Sequence, residues 1–135
     1  MLSTSDACLE PLGMTDGRIK DNQITASSVY IQNEPHKARL NANNVWTAQH
    51  TNMEQWIRVK FSPPMNVSGI IMQGDPNNDK WVTEYVVQYD NNIDNEWNWK
   101  FILDDQGNKV VSKIIYIFGR YSIEHHYVHY QNEMI

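Results

Sequence analysis

Residues 81–89, WVTEYVVQY, place Trp, Thr, Tyr, Val and Tyr at the odd positions, with Glu84 and Gln88 among the residues between them. A period of two in β-branched and aromatic residues predicts a strand with one face on a core and one in water. The alternation recurs in residues 56–61, where Ile57, Val59 and Phe61 are opposed by Arg58 and Lys60. Pro63 and Pro64 then end that strand, because proline cannot donate to a sheet ladder. Further strands are expected at 67–73, stopping at Gly74, and at 23–27, 98–103 and 110–118. Residues 104–108, DDQGN, read as the hairpin turn between the last two. No segment has the pattern of a long amphipathic helix. Short strands at close spacing, parted by Gly, Pro, Asn and Asp, predict an all-β chain built as an antiparallel β-sandwich or jelly roll.

With 135 residues, no internal repeat and no low-complexity linker, the expected organisation is one domain over residues 1–135. A formal charge of −5 and a pI near 5.4 argue against a nucleic-acid partner, which needs a concentrated basic surface. No window approaches the length of an apolar spanning helix, so no transmembrane segment is expected. The start, MLSTSDACLEPLG, has neither a basic opening nor an apolar central run, and no export signal is expected in the chain as it stands. The single cysteine, Cys8, cannot form an internal disulfide.

In a sandwich the loops gather at its ends, where rigid strands can present variable chemistry. Three are rich in polar residues: 29–37, 41–45 and 75–80. In the last, Asp75, Asn77 and Asp79 have the spacing of the first half of a calcium loop. The second half does not follow, because Lys80 stands where the turn glycine belongs and Val86 where the closing glutamate belongs. Pro76 also holds Asp75 extended. The loop therefore reads as a solvated turn or a ligand contact, with no metal. His125, His126 and His129 invite a zinc reading, but on a strand 125 and 129 lie roughly 13 Å apart and no third ligand is indicated. Neither a nucleophile elbow nor a phosphate-binding glycine loop occurs, so no catalytic residue and no cofactor are expected. Five Trp and seven Tyr supply most of the remaining chemistry. Trp56, Tyr85 and Tyr89 suit strand faces, and Trp46 suits an anchor beneath the Asn-rich loop. Trp81 suits two roles: stacking on a sugar ring while Asp, Asn and Lys neighbours bond its hydroxyls, or pinning the loop.

CLEPLGMTDGRIKDNQITASS (8–28), ARLN (38–41), QWIRVKF (55–61), VSGIIMQG (67–74) and WVTEYVVQY (81–89), in that order, resemble a discoidin domain, also called the coagulation factor 5/8 type C domain. The resemblance is clear from residue 8 to about 108. It implies a discoidin-type jelly roll, no catalysis, and capture of a ligand by loops projecting from one end. Members of that family bind galactose-type or other cell-surface glycans, anionic phospholipids such as phosphatidylserine, collagen or other proteins, often in adhesion outside the cell. By position the projecting loops are 29–33, 41–44 and 75–80. The residues implied in ligand binding are Tyr30, Ile31, Asn43, Asn44, Asp75, Asn77, Asn78, Asp79, Lys80 and Trp81.

The chain also departs from the family pattern. Cys8 lacks its usual carboxyl-terminal partner, a disulfide that typically contributes about 2 to 5 kcal/mol. Lys60 holds a place usually acidic, which removes the expected partner of a family arginine at Arg39. After residue 108 the match loosens, with Arg120-Tyr121 and residues 130–133 as remnants of the closing strands and no last strand beyond them. A missing edge strand would leave its neighbour's backbone groups unpaired, so the expectation is a domain of reduced stability, completed by a partner strand. The functional expectation is a carbohydrate-binding adhesion module for a cell-surface glycan or glycoprotein, at the cell surface or outside the cell. The alternative is a module for anionic phospholipid or an extracellular protein.

Overall fold

The computed structural model describes residues 10–90, 99–113, 115–117, 120–122, 127–131 and 133–134. Its strands are β1 (Ile24–Ala26), β2 (Ile57–Lys60), β3 (Asn66–Gly69), β4 (Glu84–Val86), β5 (Gln88–Asp90), β6 (Lys100–Phe101), β7 (Val111–Lys113), β8 (Ile115–Ile117), β9 (Arg120–Ser122), β10 (Tyr127–Gln131) and β11 (Glu133–Met134). Among the described residues the helical elements are two 3-10 turns, Asp21–Gln23 and Pro35–Ala38. Among the described residues every strand pairing is antiparallel, in agreement with the all-β reading of the alternation. Five strands form a sheet in the order β1-β2-β11-β5-β6, and β10-β3, β4-β7 and β8-β9 pair separately.

Local chemistry accounts for the hairpin at 104–108. Leu103 and Lys109 bridge across it, and the Asp104 carboxylate accepts the Gln106 and Asn108 backbone N–H groups at 2.9 and 2.8 Å. Gly107 takes φ 82°, a left-handed conformation in which a side chain would be strained. Lys109 folds its ammonium over the Phe101 ring, 3.7 Å from the centroid.

The continuous strand predicted at 81–89 is divided. β4 pairs with β7 while β5 pairs with β6 and β11, and Val87 lies at the exchange of partners. Val82, Thr83 and Glu84 are all exposed, and alternation holds only from 84 to 87, with Glu84 and Val86 exposed, Tyr85 half-buried and Val87 buried. Past the exchange it fails: Asp90, at an even position, is 2% exposed. Val87 and Ile102 form the centre of a core against which Ile70, Tyr85, Tyr89 and Val110 pack. The backbone completes the contact, because the Ile102 N–H donates to the Val87 carbonyl at 3.1 Å and the Ile102 carbonyl accepts from Val110 N–H at 3.0 Å.

Residues 133–134, at the end of the stretch read as a remnant of the closing strands, form β11 between β2 and β5, with Glu133 opposite both Lys60 and Asp90 and Met134 opposite Val59 and Tyr89. Arg39 does not depend on position 60. Its guanidinium donates to the carbonyls of Met14 at 2.7 Å and Ile19 at 2.9 Å and pairs with Asp21 at 2.5 Å, tying the segment before β1 to the turn at Pro35–Ala38. The predicted strand at 67–73 is shorter, ending at Gly69, and within 110–118 the residues Val111–Lys113 pair with β4 while Ile115–Ile117 pair with β9. Residue 98, Cys8, His125 and His126 lie outside the described residues.

Ile102 is 6% exposed and Val82 42%. Ile102→Ala should lower unfolding free energy by about 2 to 5 kcal/mol, a transfer loss plus a cavity. Val82→Ala should change it by less than about 0.5 kcal/mol, the usual range for a surface site. Urea titrations of both variants check the contrast, and equal effects would mean that the core is placed wrongly.

Candidate functional site

β1 delivers the chain into the first polar loop. Its end is fixed by Ser27, whose N–H donates to the Trp56 carbonyl at 3.0 Å. The Ser28 carbonyl next accepts the Trp46 indole N–H at 3.1 Å, so half-buried Trp46 anchors the loop from beneath. Tyr30 to Asn33 closes as a tight turn, with the Asn33 N–H donating to the Tyr30 carbonyl at 2.9 Å. Gln32, third in that turn, has φ 65°, a conformation usually left to glycine or asparagine. The Gln32 carbonyl accepts from the Lys37 ammonium, which also pairs with Glu34 at 2.7 Å. The strained turn is thereby held from its own far side. It presents Tyr30 at 55% and Ile31 at 79% exposure.

The second loop is joined to both others. Thr47, just beyond it, accepts Tyr30 N–H at 2.8 Å through its carbonyl and the Asn33 side-chain amide at 3.0 Å through its hydroxyl. Asn41, at φ 59°, donates its N–H to the Gln73 side-chain carbonyl at 2.8 Å. The Asn43 carbonyl accepts the Asn77 side-chain amide, also at 2.8 Å. Segments distant in sequence are thus brought to one place by side-chain to backbone bonds.

The third loop closes on itself. Asp75 N–H donates to the Lys80 carbonyl at 2.9 Å. One Asp75 carboxylate oxygen accepts the Asn77 N–H at 2.8 Å, and the other the Asn78 side-chain amide at 2.9 Å. Partial burial acts to raise the Asp75 carboxyl, yet the bonds from Asn77 and Asn78 and the nearby Lys80 charge outweigh it and hold the group below its ordinary range. Both Asp75 oxygens thus accept from the loop's own amides, and the bond from the Asn77 N–H makes an Asx turn. Among the described residues, no group of three or more His, Cys, Asp or Glu side chains is placed to hold a metal ion. His129 falls in β10.

Of the residues singled out in the sequence, Asn43, Asn44, Asn77, Asn78, Asp79 and Lys80 are exposed, and Asp75 and Trp81 are half-buried. The structure joins Asn43 directly to Asn77, and ties Tyr30 to the same region through Thr47. Asn33, Thr47, Gln73 and Lys37 position the loops and were not visible in the sequence, since each works by a partner far along the chain or by a backbone carbonyl. The Asn43–Asn77 junction presents exposed amide, carboxylate and ammonium groups from Asn43, Asn44, Asn78, Asp79 and Lys80.

A profile of the F5/8 type C domain matches residues 23–130. It begins later and ends later than the clear resemblance read from the sequence. The human EGF-like repeat and discoidin I-like domain-containing protein 3 is 40% identical over 114 residues, which cover 76% of this chain and 23% of that protein. Mouse retinoschisin is 33% identical over 111 residues, covering 76% and 49%, and rat lactadherin 34% over 116 residues, covering 77% and 26%. The chain therefore spans between about a quarter and a half of these relatives' lengths.

A carboxyl whose folded pKa is lowered stabilises its surroundings fully above its unfolded value, here 3.8, and loses that effect as pH falls through the lowered value. The Asn77 and Asn78 amide signals should accordingly move together below pH 3.8. In Asp75→Ala that titration should vanish and Asn77 amide exchange should quicken roughly fivefold, the net worth of one hydrogen bond. Nuclear magnetic resonance reads both.

Proposed function

The chain belongs to the F5/8 type C domain family, and on that premise we propose that it is a non-catalytic recognition module, a single discoidin-type jelly-roll sandwich that binds carbohydrate on cell-surface glycans or glycoproteins. The observation that carries this reading is the Asn77-to-Asn43 bond of 2.8 Å, which holds two asparagine-rich loops side by side, the second of them running directly into half-buried Trp81. Sugar hydroxyls need several neutral donors and acceptors held at fixed spacing, and an aromatic face for the ring's C–H groups. Asn43, Asn44, Asn78, Asp79 and Lys80 are exposed at that junction. The module acts in adhesion, outside the cell or on its surface. Among the described residues no helix is long and apolar enough to cross a membrane.

Electrostatics favours glycan over anionic lipid. A lipid headgroup would need free cations below an apolar tip. Lys37 is paired with Glu34, and Arg39 with Asp21 and two carbonyls, so the basic residues that follow the Tyr30–Ile31 turn in sequence are already engaged, while Lys80 is exposed in the third loop. The second reading, a module for anionic phospholipid or an extracellular protein, is supported by one observation: Ile31 stands 79% exposed at the tip of a strained turn, with Tyr30 beside it.

Binding to a glycan array, followed by calorimetry on the best ligand, should show a signal that Trp81→Ala and Asp79→Ala each weaken at least tenfold, about 1.4 kcal/mol, without loss of the folded state. No binding to any glycan would overturn the first reading. Co-sedimentation with phosphatidylserine vesicles, abolished by Tyr30→Ala and Ile31→Ala, would instead establish the second.

A further inference from the structure

Asn66-Val67-Ser68 is an acceptor triplet for N-linked glycosylation, with Asn followed at two residues by a hydroxyl amino acid and no proline between. No other Asn in the chain meets that rule. The structure puts Asn66 at the first position of β3, with an exposed side chain, while its neighbour Val67 is 4% exposed in the core. The strand's alternation therefore turns the acceptor amide outward and uses the adjacent residue to fasten the site.

Two routes through the topology set this position apart from the ligand loops. From Asn66 β3 leads away to Gly69, and residues 70–74, none of them in a turn, follow before Asp75. On the other route, β1 leaves for the first loop from Ala26, which is opposite Ile57 at the start of β2, whereas Asn66 follows the other end of β2 after Lys60. A large sugar at Asn66 thus stands at the far end of β3 from residues 75–80 and leaves the loops open.

We propose that Asn66 is an N-glycosylation site of this chain, occupied on passage through the secretory pathway. The inference rests on the extracellular part of the functional reading above. In the reaction the Asn66 amide nitrogen forms a bond to the anomeric carbon of an oligosaccharide carried on a lipid diphosphate. The bond from that carbon to the diphosphate breaks, the lipid diphosphate leaves with the electron pair, and the amide nitrogen gives up one proton to the transferase's base.

The test directs the chain into the secretory pathway of cultured eukaryotic cells with a heterologous signal sequence and reads intact mass in the secreted and cell-retained fractions. Treatment with peptide N-glycosidase F should remove a sugar and convert Asn66 to aspartate. Asn66→Gln and Ser68→Ala should each abolish that shift, while Ser68→Thr should preserve it. Chain that carries no enzyme-sensitive mass in either fraction, or a shift that survives Asn66→Gln, would overturn the proposal. Glycan-array binding by bacterially produced, unmodified chain tests recognition separately, so a bare Asn66 and an inert set of loops are distinguishable failures. The secreted protein should bind equally well before and after sugar removal, and a tenfold gain on removal would refute the placement of the glycan away from the loops.

Discussion

Ile102 is held from two sides by backbone and from the rest by side chains, and the arrangement of the strands follows from that. Its N–H reaches Val87 and its carbonyl receives Val110, at 3.1 and 3.0 Å. Val87 is where the chain passes from β4, paired with β7, to β5, paired with β6 and β11. One buried contact therefore couples the five-stranded sheet to the β4–β7 pair. Burial of Val87 and Ile102 contributes on the order of 1.5 to 3 kcal/mol per side chain, enough to select one mode of pairing among several that local alternation would allow.

The loops are organised by a different force. Few of their side chains are buried, so apolar packing does little to order them. Hydrogen bonds between segments do it instead: Trp46 to Ser28, Asn33 to Thr47, Asn41 to Gln73, Asn77 to Asn43. Each contributes about 1 kcal/mol net, and together they offset the entropy of holding three polar segments still. A loop surface made this way is preorganised while remaining wet. Gln32 marks where the cost concentrates, at φ 65° with Lys37 on its carbonyl, and it is there that Ile31 is pushed furthest into solvent.

Much of this was legible in one dimension. The alternation of residues 56–61 and 81–89, the prolines at 63 and 64 and the DDQGN turn specify strands, an end and a hairpin, because each depends on neighbours within a few residues. Less legible were the break at Val87, the burial of Asp90, the partner of Arg39 and the place of Glu133–Met134. A two-residue strand has almost no pattern of its own, and it is specified by the strands on either side of it.

Sequence alone determined that this chain makes short antiparallel strands, that its polar residues collect between them, and that Asp75 sits in a loop poorly formed for calcium. Those properties follow from side-chain period, backbone restriction and residue chemistry, all local. Only the tertiary structure decided that Asn77 meets Asn43, that Lys37 and Arg39 are already paired, and that Asn66 faces water at the far end of β3 from the third loop. Hydrogen-bond donors and charges do not carry the identity of their partners. That identity is set when the core around Val87 and Ile102 brings distant segments within 3 Å of one another.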